Sequence, residues 1–293
     1  SLLEIAPAQR EAIAFMEIAG SGIVAYDVGV GKTMSAIVTL ANALYSGKSK
    51  RALVVVPNPT YNKWKKEIGG YKDPKTGEVT HGVLSHTGVK IYGWYSLGAD
   101  MVKVNNNTIT IAGHNSEKAV DANSITLVTY EGLAKMGYSN KLMGNLFESL
   151  VSVLEQTEDG AKTQRDLEKR NQKYRAMLGQ GNKGTLVDID TLGFDYIVID
   201  EAHNFKNIFE SVPADEDGNK RYKIESATSD RAIKAFFLCN YIQRTYKANV
   251  CLLTATPFTN SPLEIFSMMS LVGYDSMKKM GIYNLQQFMQ LLK

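Results

Sequence analysis

GIVAYDVGVGKT, residues 22–33, is the stretch from which the rest of the chain is read. Its first six residues, GIVAYD, read as a short buried strand. Gly29-Val30-Gly31-Lys32-Thr33 then forms a small-residue turn, and TMSAIVTLANALY reads as a long helix that stops at Gly47. A strand that runs through a glycine turn into a helix aims backbone N–H groups at one point, where an anion is favoured. Gly29, Val30 and Gly31 would cradle phosphate with their backbone. Lys32 would neutralise β- and γ-phosphate charge, and the Thr33 hydroxyl would reach a magnesium ion. The longer glycine pattern G-x-x-x-x-G-K-[ST] is not met, because position 26 is tyrosine.

Outward from this loop, helix and strand signals alternate. PAQREAIAFMEIA (7–19) is expected to be a helix started by Pro7. RALVVVP (51–57) is a valine-rich strand ended by proline, with TYNKWKKEI as the helix after it. Residues 70–123 break the rhythm with Gly, Asn, Thr and short alternating runs such as TITIA, and are expected to form an excursion that protrudes or adds an edge hairpin. SITLVTYEGL (124–133) resumes as a strand and turn. Residues 140–185 form a second insert, in which helices surround a charged stretch and a polar crossing near Gly160. The loops at 150–185 and 210–227 are expected to be mobile. SDRAIKAFFLCNYIQRTY is a helix capped by Ser229 or Asp230, ANVCLLTATP a buried strand, and the remainder helical. The expected fold class is α/β, a mainly parallel sheet with helices on both faces, in one domain over 1–293.

IVIDEAH, from Ile197 to His203, supplies a second chemical signal. Two acids end an apolar strand. In phosphoryl transfer one such acid holds the metal and its neighbour positions or deprotonates water. We assign Asp200 to magnesium and Glu201 to the attacking water. Thr254 and Thr256, in TATP at the end of another buried strand, would hydrogen-bond the acids or the γ-phosphate region, or simply cap the strand. Parallel βα units bring strand carboxyl ends together, and ligands bind there. The catalytic set is therefore Lys32, Asp200 and Glu201, with Thr33 and Asp200 toward the metal and His203 beside the nucleotide. His81, His86 and His114 fall in the irregular excursion and are given no catalytic role.

Composition narrows the alternatives. Apolar residues make up 44% of the 293, enough for a sizeable core. With 33 Lys plus Arg against 30 Asp plus Glu, the net charge of +3 does not itself signal a nucleic-acid partner; a local basic groove would be needed. Cys239 and Cys251 form no C-x-x-C pair, so structural zinc is not expected, and Cys251 reads as core. The sequence carries no signal peptide and no 18-residue apolar run, which points to an intracellular protein without a membrane span.

Together the segments resemble the SNF2-like branch of helicase superfamily 2. YDVGVGKT matches motif I, DEAHNFKN motif II and LLTATPFTNSPLEIFSMM motif III, with Asn260 and Glu264 in pattern and Ala255 in place of the usual glycine. Lys206 and Asn207 match the K-N after motif II. LVVVPNPTYNKWKKEI, with Pro57 and Trp64, is similar to motif Ia; LVTYEGL, with Thr129, Tyr130 and Glu131, to motif Ib. Tyr26-Asp27 departs from the family's Asp-Glu, and DEAH from its frequent DEGH. The resemblance implies a RecA-like P-loop NTPase domain that uses ATP and Mg2+, with Gln9 at the adenine edge. It also implies a nucleic-acid surface at the turns holding Pro57, Asn58, Thr129 and Tyr130. Family members work with a second RecA-like domain that supplies arginines, and after Pro257 of TATP only 36 residues remain, too few for one. The expectation is a weak ATPase from 1–293 by itself.

The leading functional expectation is a motor that remodels or translocates on duplex DNA. The ATPase of a restriction–modification or mobile-element machine, an RNA helicase motor, and a non-hydrolysing ATP-regulated scaffold are the alternatives. Intact Lys32, Thr33, Asp200 and Glu201 count against the scaffold.

Overall fold

The computed structural model describes residues 4–27, 29–96, 101–105, 108–111, 114–115, 118–142, 146, 150, 164–178, 187–209, 229–256, 262–283 and 285–291. Six strands form the main sheet: β1 (Gly22–Ala25), β2 (Arg51–Val56), β3 (Lys90–Trp94), β4 (Ser124–Thr129), β5 (Tyr196–Ile199) and β6 (Val250–Thr254). Their order is β1-β6-β5-β2-β4-β3, and every neighbouring pair is parallel. Strands covered on both faces are apolar at nearly every position, as β2, β5 and β6 are.

Two layers of helix cover the sheet. Ala52, Val54, Val56, Val198, Cys251 and Leu253 face one layer, with helices α1 (Pro7–Ala19), α2 (Lys32–Ser46) and α3 (Tyr61–Gly69). Leu53, Val55, Ile197, Ile199 and Leu252 face the other, with α4 (Tyr130–Ala134), α5 (Gln164–Met177), α6 (Asp230–Tyr246), α7 (Pro262–Lys279) and α8 (Leu285–Gln290). The alternation is the two-residue period of an extended chain. Cys239 of α6 lies in the second layer and Cys251 of β6 in the first, both buried.

Helix ends follow local chemistry. Ser229 accepts a hydrogen bond from the Ala232 N–H and caps α6, and Gly47 ends α2 in the left-handed conformation. At the amino ends of the strands, the Asp195 carboxylate accepts from the Ser49 hydroxyl at 2.6 Å and from the N–H groups of Lys50 and Arg51 at 2.7 and 3.1 Å. Asn249 Nδ2 donates to the Asp195 carbonyl at 2.8 Å. These bonds join the starts of β2, β5 and β6.

The 70–123 segment differs from its expectation in one respect. A short antiparallel pair (Tyr71–Lys72 with Val79–Thr80) and a three-stranded antiparallel unit (Met101–Asn105, Thr108–Ile111, His114–Asn115) are present. Between them, KIYGW is the parallel edge strand β3 of the main sheet. Its glycine hid a core strand whose Trp94 is fully buried. In the second insert Gln164–Met177 is helical as α5, while residues 151–163 and 179–186 and the 210–227 loop lie outside the described residues. Among the described residues no helix is long and apolar enough to cross a membrane.

Candidate nucleotide site

The carboxyl ends of β1, β5, β6 and β2 meet at one edge of the sheet, and the candidate residues come from the turns there. Gly29 and Gly31 have φ of 92° and 85°, in the region that disfavours a Cβ. At Gly31 the constraint is also steric, since a Cβ would sit 2.1 Å from Gln9 Nε2. Gln9 Nε2 donates to the Gly31 carbonyl at 3.4 Å, and Gln9 Oε1 accepts from the Ala6 N–H at 2.9 Å. Gln9 is thereby held against the loop. Lys32 begins α2, and its Nζ donates to the carbonyls of Tyr26 and Asp27 at 2.7 and 3.1 Å. Thr33 follows in the first turn, partly exposed, and Val30 lies partly buried between the two glycines.

Asp200 is buried, and each carboxylate oxygen has a donor. Trp64 Nε1 donates to Oδ2 at 2.7 Å, and the Glu201 N–H to Oδ1 at 3.0 Å. Burial raises the carboxyl above its ordinary value and the neighbouring Glu201 charge adds to the rise, against the Trp64 bond, the Glu201 N–H and the Lys32 charge. The parallel pairing of β1 with β6 and of β6 with β5 sets the β1 loop and the β5 end along the same edge of the sheet.

Glu201 has φ 49°, left-handed for a residue with a Cβ. Its carbonyl accepts from Asn204 N–H and Nδ2, both at 3.0 Å, and from the Tyr130 hydroxyl at 3.3 Å. Such a conformation persists where surrounding bonds over-determine it. His203 Nδ1 lies 3.1 Å from Thr254 Oγ1 and 3.4 Å from Glu201 Oε2. Thr254 is fully buried, and its hydroxyl oxygen also accepts the Thr256 N–H at 3.1 Å, while Thr256 itself is exposed. Thr254 therefore reaches the imidazole rather than either carboxylate. Lys206 pairs with Glu264 of α7 at 2.8 Å, a second tie between the motif II and motif III segments. Pro257 and Asn260 lie outside the described residues.

The nucleic-acid candidates divide. Pro57 and Asn58 are partly exposed in the turn before α3. Thr129 and Tyr130 are turned inward. Thr129 is fully buried; its hydroxyl donates to the Tyr95 carbonyl and accepts from the Gly132 N–H at 3.1 Å, capping α4. Tyr130 donates to the Asp200 carbonyl at 2.6 Å, under the Arg231 guanidinium at 4.8 Å. Their position in sequence after a strand pointed to a surface turn, but a cap and a backbone anchor need buried hydroxyls.

Trp64 entered the sequence reading only through its resemblance to motif Ia. In the structure Tyr61, Trp64 and Ile68 form the buried face of α3, and nothing in the sequence pattern pointed the Trp64 N–H at Asp200.

Comparison with known proteins bears on the same segments. The chain is similar to the defense against restriction protein B of Escherichia phage P1, 22% identical over 309 residues, which cover 92% of this chain and 13% of that protein. The chain thus spans a small part of that relative's length. It also aligns with the Sulfolobus solfataricus SWI2/SNF2 ATPase core in complex with dsDNA, at 15% identity and a TM-score of 0.45, over 92% of this chain and 36% of that one. The family model described as the SNF2-related domain matches residues 9–213, a span that includes the glycine loop, Trp64, Tyr130 and the Asp200–His203 turn. The chain belongs to the SNF2-related domain family, with an α/β fold built on a parallel six-stranded sheet.

Proposed function

We propose that this chain binds ATP with magnesium at the β1–β5–β6 edge and works as the ATP-driven half of a motor on duplex DNA. The observation that carries the reading is the convergence of Lys32, Asp200, Glu201 and His203–Thr254 on one sheet edge. The donor set fits the group: carboxylate and hydroxyl oxygens suit a hard cation, and a buried carboxylate gains from one. Asp200 and Thr33 would hold it. When bound, magnesium neutralises charge on the β- and γ-phosphates.

The residues then have distinct tasks. Gly29, Val30 and Gly31 wrap the phosphates with backbone N–H groups, and Lys32 exchanges its loop carbonyls for phosphate oxygens. Glu201, fixed by its bonded backbone, orients the attacking water and takes its proton. His203 links Glu201 to Thr254 and so connects the hydrolytic residue to the segment leading into α7. Gln9 lies beside the loop, where an adenine edge would be read. Pro57 and Asn58 offer a backbone-contacting turn for nucleic acid, with Thr129 and Tyr130 shaping the surface from within.

DNA is favoured over RNA by the T-N-S-P-L-E continuation of motif III and by the phage relative, whose name places it in defence against restriction. That relative also favours a mobile-element setting for the parent protein. A second RecA-like domain, in the same polypeptide or another, would close the cleft and supply arginines. Phosphate release by the natural polypeptide carrying this domain tests the reading, with duplex DNA, single-stranded DNA, RNA or no nucleic acid. Duplex DNA is expected to stimulate most; selective stimulation by RNA would replace the substrate assignment.

A further inference from the structure

Trp64 is 1% exposed and packs in the layer that holds Val54, Val56, Tyr61, Ile68 and Leu84. Apolar packing fixes the ring without help from its N–H. The N–H nevertheless leaves that layer and meets Asp200 Oδ2 at 2.7 Å, while Oδ1 takes the Glu201 N–H at 3.0 Å. One donor on each oxygen sets the plane of the carboxylate and leaves further lone pairs for a cation. Burial of an indole does not by itself bring this about: Trp94 is fully buried too, and its Nε1 has no hydrogen-bond partner among the described residues. Trp64 also sits in α3, which starts directly after the turn Asn58–Thr60.

We propose that Trp64 is a positioning residue, which orients the Asp200 carboxylate for magnesium and couples it to the nucleic-acid turn before α3. The inference rests on the ATP–magnesium reading above. A shift of α3 moves the indole N–H, and the carboxylate must follow or lose its donor. Partners that orient a metal ligand typically contribute about 10–100-fold in metal affinity.

The test needs no turnover. Binding of a fluorescent ADP analogue (mant-ADP) to residues 1–293 is titrated with Mg2+. Trp64→Phe keeps an aromatic ring and removes the donor. Its Mg2+ midpoint is expected to rise about 10–100-fold, with Mg2+-free nucleotide binding unchanged. Trp94→Phe should titrate like the wild type. If Trp64→Phe does not fold, benzothienylalanine at position 64 keeps the bicyclic shape without the N–H, and the same rise is expected. A folded donor-less variant with the wild-type Mg2+ midpoint overturns the proposal. Equal weakening with and without Mg2+ also overturns it, leaving Trp64 a packing residue. A wild-type protein whose nucleotide binding ignores Mg2+ would instead remove the magnesium reading itself.

Discussion

In the proposed reaction Lys32 and Glu201 carry different parts, and their removal should separate binding from turnover. Lys32 Nζ already donates to two carbonyls, so its charge is held at the mouth of the glycine loop. A charge-assisted hydrogen bond contributes about 1.5–3 kcal/mol, so Lys32→Ala is expected to weaken nucleotide binding about 10–100-fold by calorimetry. Unchanged affinity would exclude Lys32 as the phosphate lysine. Glu201 is only partly buried, and its backbone is set by Asn204 and Tyr130 rather than by its own carboxylate. Glu201→Gln should therefore fold normally and bind ATP as before. Turnover of the natural polypeptide should fall at least about 100-fold, the scale of general base catalysis; retained turnover would remove Glu201 from that role. Both residues could be proposed from the sequence because each closely follows a strand end. Trp64 was not, because its donor acts across a packing layer and no spacing rule connects positions 64 and 200.

Helix α4 has five residues and depends on its neighbours. Lys234 of α6 is buried, and its Nζ donates to the carbonyls of Leu133 at 3.3 Å, Ala134 at 3.0 Å and Met136. A cation at the end of a helix satisfies carbonyls that the helix leaves open. Since Tyr130 at the other end of α4 holds the Asp200 carbonyl, the lysine supports the site from outside it. Lys234→Met should lower unfolding stability by about 1–3 kcal/mol in urea, the cost of buried groups without partners. Burial also lowers the lysine to about 8 from 10.5, against the opposing charge of Asp230. Above about 8 the folded chain releases this proton while the unfolded chain keeps it to 10.5. The unfolded state then binds more protons, so this group's contribution to stability rises with pH across that window. The gap between wild type and Lys234→Met should widen there; a constant gap would place the pH response elsewhere. Element reading from sequence succeeded where one signal dominated, as at Pro7, Gly47 and Ser229. It missed β3 because Gly93 in a short stretch amid loop-like residues resembles a turn, and only pairing with β4 makes KIYGW a strand.

For the molecule as a whole, the proposed motor would use this domain as one wall of a nucleotide cleft and one side of a nucleic-acid groove. With a net charge of +3, duplex DNA binding by residues 1–293 should be weak. The logarithm of its affinity should fall against the logarithm of salt by about 0.9 per phosphate neutralised. ATP turnover by 1–293 should change less than about twofold with duplex DNA, since an arginine from a facing domain is worth about 10³–10⁵ in related enzymes. Robust stimulation of monomeric 1–293 would refute that division of labour. The two thiols placed one in each helical layer have a use beyond packing. Burial raises Cys251 to about 12 and Cys239 further, so neither is a reactive thiolate while its layer stays shut. Alkylation therefore waits for opening. With Cys239→Ala and Cys251→Ala proteins, mass spectrometry would time each layer separately against iodoacetamide. Should nucleotide slow the labelling of Cys251 more than that of Cys239, the layer carrying α1, α2 and α3 would be the one that ligand clamps, and the two clocks would measure how unevenly the halves of the sheet breathe.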